Sequence, residues 1–222
     1  MISYDKKCIF VHIPKTGGSS IENLIWTGNR RESDLWKGHI TPYYNKYQTG
    51  GLQHLFATHI QQEVGNDVFK SFFKFSFVRN PWDKAVSQFC YMKTIKILRE
   101  FIGMSKDDCF KQYLSLIQTK KHVQWEEQYK FILDQNGNSL VDFIGRFENF
   151  ENDVRYVLQT LNNQTSLNPQ ELTPESAKIS FAKIPHVKQS LRTHYTDYYD
   201  NESKDIVRHL YQKDIELFNY IF

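Results

Sequence analysis

The stretch FVHIPKTGGSS at residues 10–20 constrains the fold of this chain more than any other. Cys8, Ile9, Phe10, Val11 and Ile13 form a short apolar run ended by Pro14, which predicts a buried strand rather than a helix. After the glycines, Ile21, Leu24 and Ile25 fall at helical spacing. A strand, a glycine loop and a helix in that order aim several backbone N–H groups and a helix N-terminus at one point, a geometry that binds anions such as phosphate. Gly17 and Gly18 let the backbone approach closely, Lys15 adds a mobile positive charge, and Thr16, Ser19 and Ser20 add hydroxyl donors. A glycine turn that binds nothing is the alternative for this stretch taken alone. Residue order separates it from the loop of nucleotide triphosphatases, GxxxxGK[ST], in which the lysine follows the glycines. Here Lys15 precedes them and no GK[ST] occurs in the chain, which disfavours a kinase or ATPase.

A second strand-loop-helix unit lies at FSFVRNPWDKAVSQF. Residues 72–78 (FFKFSFV) predict a strand, and a long helix follows over about 81–101. Asn80 is placed as an N-cap, Pro81 at the first helical position, and Asp83 at the positive end of the helix. Arg79, at the strand end, points to where a ligand would lie, and Ser87 reaches toward the same space. An arginine and a hydroxyl together clamp a phosphate dianion through charge-assisted hydrogen bonds. The competing reading pairs Arg79 with a nearby carboxylate and turns Ser87 toward another helix. Two such units predict an α/β fold, phosphate-loop-like, with a central parallel sheet flanked by helices. Its ligand would lie beyond the carboxyl ends of the strands, so both motifs face the same edge.

The remainder predicts an irregular excursion over 27–51, a short helix over 61–65 closed by glycine, a helix over about 106–118, and a hairpin over 129–147 around Asn136-Gly137. An amphipathic helix follows over 150–161, then a loop-rich segment over 162–190 and a helical end over 201–222. With 222 residues the whole chain, 1–222, suits a single domain. A net charge of +3 with interspersed acids argues against a nucleic-acid partner and permits a local anion pocket. Cys8, Cys90 and Cys109 are odd in number and far apart, which predicts reduced thiols in the core rather than a disulfide frame or a zinc site. No apolar run of about 18 residues exists and the first strand begins close to Met1, so no signal peptide or membrane insertion is expected; a cytoplasmic location is.

PKTGGSS followed by FVRNPWDKAVS resembles the sulfotransferases that use 3′-phosphoadenosine 5′-phosphosulfate (PAPS), especially the carbohydrate (heparan- and chondroitin-type) branch and its small bacterial relatives. VDFIGRFENFENDV and the ending YYDNESKDIVRHLYQKDIELFNYIF resemble later blocks of the same branch, so the resemblance spans nearly the whole chain. It implies that Lys15, Thr16, Gly17, Gly18, Ser19 and Ser20 hold the 5′-phosphosulfate, and that Arg79 and Ser87 hold the 3′-phosphate. Lys188, Ser190 and Arg192 resemble a basic loop that lies over the nucleotide in relatives, with a solvated basic turn as the simpler account. The implied reaction is an in-line displacement at sulfur, with a sugar hydroxyl as acceptor, Lys15 neutralising charge on the leaving oxygen, and no metal required. By analogy with phosphoryl transfer, positioning and charge stabilisation supply most of the rate. The implied general base is His54, with His59 as runner-up; His12 is structural or orienting, and His39 is a further histidine in the candidate set. Trp36, Tyr43, Tyr44 and Tyr47 either stack on sugar rings or pack the excursion, and Gln124, Trp125, Glu127 and Gln128 fall where relatives carry acceptor contacts. A phosphate-loop kinase and a non-catalytic nucleotide-binding module are the alternatives. Retention of Lys15, Arg79 and a suitably placed histidine argues for an enzyme.

Overall fold

The computed structural model describes residues 1–26, 54–166 and 192–222. A four-stranded sheet runs β1 (Ile2–Ser3), β2 (Cys8–Val11), β3 (Phe73–Val78) and β4 (Phe143–Arg146) in that spatial order. β1 is an antiparallel edge, and the other three strands are parallel. β2 is buried throughout, as expected of a parallel strand covered on both faces. Phe10 pairs with Phe75 in register and their rings stack with centroids 5.1 Å apart. At Gly145 of β4 a Cβ would come within 2.5 Å of the Phe77 ring, so only glycine lets the third parallel strand close onto β3.

The helices flank this sheet: α1 (Gly18–Ile25), α2 (Ala57–Val64), α3 (Asn66–Ser71), α4 (Pro81–Thr94), α5 (Lys96–Ile102), α6 (Phe110–Ile117), α7 (Tyr129–Ile132), α8 (Phe150–Ser166), α9 (Asn201–Leu210) and α10 (Gln212–Leu217). The expected α/β class is thus the observed one. Three strands end at one edge, where the turns after β2, β3 and β4 begin the segments that carry PKTGGSS, RNPWD and FEN. No helix among the described residues is long and apolar enough to cross a membrane.

Four expectations need correction. The helix expected over 81–101 breaks at Ile95, where the backbone is extended, and Arg99 donates back to the Lys93 carbonyl across the break. The helix expected from 106 starts at Phe110, with Cys109 as its N-cap and Gln112 accepting from the Cys109 N–H. That places Cys109 at the surface; Cys8 alone of the three thiols is fully buried, and Cys90 is half-buried. The hairpin over 129–147 is reduced to one antiparallel bridge, Leu133 with Ser139, closed by a turn in which Asp134 accepts from the Asn136 and Asn138 N–H groups. Its first run forms α7 and its second joins β3 as β4, where Asp142 accepts from the Lys74 N–H and returns its own N–H to the Lys74 carbonyl. Pairing across the core outweighs the local turn.

Candidate active site

The site begins where β2 stops. Ser76 Oγ donates to the Val11 carbonyl (2.7 Å), and the chain then turns through a loop whose Lys15 and Gly17 both have left-handed φ, 67° and 88°. Such alternation gathers successive N–H groups into a concave nest for an anion. Thr16 is fully buried and its hydroxyl donates to the Ile13 carbonyl (2.9 Å), so it braces the loop from within. Gly18 starts α1, Ser19 is half-buried and Ser20 is buried. Gly17 and Gly18 are held against side chains: a Cβ on Gly17 would lie 2.6 Å from the Phe150 ring, and one on Gly18 would lie 2.0 Å from His12 Nε2.

Beneath the loop, His12 Nδ1 sits 2.7 Å from Glu22 Oε1, both side chains being buried. The His12 carbonyl accepts from His54 Nδ1 (2.8 Å), and the two rings meet edge to face at 4.4 Å. Because a carbonyl only accepts, His54 carries its proton on Nδ1 and presents Nε2 as the lone-pair nitrogen. Burial drives the His54 pKa well below the ordinary histidine value, and the neighbouring His12 ring acts in the same direction, so the His54 imidazole is neutral at physiological pH. His59 stands elsewhere on α2, half-buried and stacked on Phe56 (5.1 Å), which packs against Phe131. Sequence reasoning left the two histidines as candidates; the structure brings His54 to the base of the anion loop.

The turn after β3 builds the second half. Asn80 caps α4 by accepting from the Trp82 (3.0 Å) and Asp83 (3.4 Å) N–H groups, with Pro81 in the first turn, as the sequence predicts. Arg79 is buried. It donates from Nη1 to the Lys15 carbonyl (2.9 Å) and from Nε and Nη2 to Asp83 Oδ2 (2.9 and 2.7 Å), and its plane lies 3.8 Å over the Phe147 ring. Of the two sequence readings of Arg79, the pair with a nearby carboxylate is the one observed, and its guanidinium also reaches the Lys15 carbonyl of the glycine loop. Burial pulls the guanidinium pKa below its usual value while Asp83 opposes the shift. A guanidinium has five N–H donors. Among the described residues Arg79 uses three of them, two on Asp83 and one on Lys15, leaving two.

Asp83 also accepts from Arg192 Nη2, so one carboxylate holds two guanidiniums side by side. Asp83, Ser87 and Tyr91 follow at successive turns of α4, and the Lys15 ammonium rests over the Tyr91 ring, 4.3 Å from its centroid. Ser87 is buried on that face, between the end that holds the guanidiniums and the end that holds the lysine. Ser190, Lys188, His39, Trp36, Tyr43, Tyr44 and Tyr47 lie outside the described residues.

Sequence reasoning missed the contribution of β4. Phe147 provides the face under Arg79, and Glu148 accepts from the Asn80 N–H (2.6 Å). No local signal marks these two residues; only the parallel pairing of β4 with β3 delivers them. Tyr91 was within reach of helical-period reasoning from Ser87. Gln128, expected on the acceptor side, is instead wholly buried behind Arg79, and Gln124 and Trp125 are buried as well.

The sulfotransferase family model matches residues 1–221, essentially the whole chain. The chain belongs to the sulfotransferase family. An uncharacterized protein of Archaeoglobus fulgidus is 32% identical over 107 residues, which cover 46% of this chain and 78% of that relative. No solved structure matches the chain. As a sulfotransferase the protein transfers a sulfuryl group, and the juxtaposition of Lys15, Arg79, Arg192 and Ser87 is an arrangement suited to a polyanionic donor.

Proposed function

We propose that this sulfotransferase acts as a single catalytic domain, carries the sulfuryl group from PAPS to a hydroxyl of a carbohydrate, and uses His54 as the general base. The observation that carries the reading is the 2.9 Å hydrogen bond from Arg79 Nη1 to the Lys15 carbonyl, which joins the two anion cradles at one sheet edge. A single nucleotide phosphorylated at both ends requires two adjacent cradles; a mononucleotide requires one. PAPS, when bound, supplies an activated sulfuryl group whose leaving partner is a phosphate oxygen. In this reading the loop N–H groups of residues 15–20 and the Ser19 and Ser20 hydroxyls hold the 5′ end. Arg79 and Ser87 hold the 3′-phosphate, joined by Arg192 and, from outside the described residues, Ser190. The Lys15 ammonium neutralises charge that grows on the leaving oxygen, and His54 Nε2 takes the acceptor proton, being neutral before the reaction as a base must be.

The carbohydrate acceptor rests on the resemblance of PKTGGSS and FVRNPWDKAVS to that branch. The test is a calorimetric titration with 3′-phosphoadenosine 5′-phosphate and with ATP, both without magnesium. The first should bind at least about tenfold tighter, and Arg79→Ala should remove most of that preference, because a hydrogen bond to a charged group contributes about 1.5–3 kcal/mol. Equal affinity for the two nucleotides would sink the donor assignment. Radiolabelled donor with a panel of sugar and phenolic acceptors tests the acceptor class; label on phenols alone would replace the carbohydrate.

A further inference from the structure

Behind Arg79 lies a buried polar chain whose hydrogen bonds, among the described residues, run to the Arg79 backbone. Gln128 is wholly buried and its side-chain amide closes on one residue from both sides: Oε1 accepts from the Arg79 N–H and Nε2 donates to the Arg79 carbonyl, each at 2.8 Å. The last register pair of the sheet is Val78 with Arg146, so residue 79 stands one step past the ladder. Gln128 supplies there the two hydrogen bonds that a neighbouring strand would otherwise make. Gln128 is itself held by Asp214, a fully buried residue of α10 whose carboxylate accepts from the Gln128 N–H (2.7 Å) and the Tyr129 N–H (2.8 Å). Lys84, buried on α4, gives Asp214 a counter-charge and donates to the Glu126 carbonyl (3.2 Å). Burial pushes Asp214 up to about 6 and Lys84 down to about 8, so at neutral pH both remain mainly charged and the carboxylate accepts.

We propose that Gln128 and Asp214 are positioning residues for donor recognition: they fix the backbone of residue 79 so that its guanidinium reaches both Asp83 and the Lys15 carbonyl. This rests on the donor reading above. Three elements distant in sequence, β3, the segment before α7, and α10, converge on one backbone unit whose side chain faces the site. A group that served packing alone would need no pair of hydrogen bonds to one peptide unit, and an apolar side chain of equal volume would fill the same space.

The experiment compares 3′-phosphoadenosine 5′-phosphate with adenosine 5′-phosphate as probes, by calorimetry, on the full chain. The wild type should prefer the bisphosphate by about tenfold or more. In Gln128→Met, which keeps the volume and removes both hydrogen bonds, that preference should fall by about fivefold or more, while affinity for adenosine 5′-phosphate changes less than about twofold. Asp214→Asn, which strands one N–H, should shift the ratio in the same direction. A thermal melt shows whether each variant is folded. If Gln128→Met is not, Gln128→Glu keeps the acceptor for the Arg79 N–H and loses the donor to its carbonyl, and is measured in its place. A folded variant that retains the full preference overturns the positioning role, as does an equal loss for both probes. A wild type without any preference instead removes the donor reading, and this inference with it.

Discussion

Replacing Gly18 by alanine sets two effects against each other. Alanine is the better helix former, by about 1 kcal/mol in a helix interior, and Gly18 opens α1 without a left-handed φ. Against this, the new Cβ would stand 2.0, 2.2 and 2.6 Å from Nε2, Cδ2 and Cε1 of His12. The ring cannot simply swing aside. It stacks on Phe10 with centroids 5.2 Å apart, meets His54 edge to face at 4.4 Å, and has Nδ1 2.7 Å from Glu22. Overpacking of a well-packed site costs about 1–3 kcal/mol. The propensity gain is smaller at a first-turn position, so the clash should win by about 1–2 kcal/mol, which lowers Tm by about 2–8 °C for a chain of this size. The assay is thermal and urea unfolding followed by circular dichroism, run as a cycle with His12→Ala. Once the ring is gone, Gly18→Ala should be neutral or stabilising, giving a coupling of about 1 kcal/mol or more. If Gly18→Ala raises Tm in the wild-type background, or costs the same with and without the ring, the close packing of His12 under the loop does not matter and the reasoning fails.

His54→Asn should lower kcat by about 10²–10⁴-fold and leave the nucleotide Kd within about twofold; a kcat loss below tenfold would count against the base. Because burial disfavours protonated His54, wild-type kcat should hold as pH drops past the ordinary histidine range, and an acid limb centred at or above pH 6.5 would contradict the burial. Burial also pushes His122 down to about 4, so below pH 6.5 the unfolded chain binds protons at His54 and His122 that the folded chain does not, and stability falls with pH. Asp214, raised to about 6, acts in the opposite sense below that pH. His122→Gln should therefore lose less stability between pH 7 and 5 in urea titrations than the wild type, and identical slopes would refute the assignment. Burial pushes the Cys8 thiol up to about 12, so a thiol reagent should modify exposed Cys109 quickly and Cys8 only after unfolding; fast labelling of Cys8 in the native protein would show that β2 opens.

Local chemistry was legible wherever a short segment carries its own instructions. The strand and turn around PKTGGSS, the N-cap and Pro81 at RNPWD, and the closure of α2 at Gly65 all depend on neighbours within a few residues. The hairpin over 129–147 was misread because its second run finds a partner nearly 70 residues upstream, as in the hydrogen bond from Lys74 to Asp142, and no periodicity encodes that choice. The break at Ile95 was likewise hidden, since the apolar pattern runs on through both helices.

By itself, then, the amino-acid order determined the α/β class, the glycine loop after β2, the strand end at Arg79 with the capped helix that carries Ser87, and the family resemblance. Tertiary structure alone decided that Asp83 bridges Arg79 to Arg192, that Phe147 and Glu148 complete the edge, that His54 rather than His59 hangs from the His12 carbonyl, and that Gln128 turns inward. The reason is one of range. Caps and turns are set by backbone conformations a few residues wide, whereas each of these contacts except the short Arg79 to Asp83 pair joins segments that only the packed sheet brings within hydrogen-bond distance.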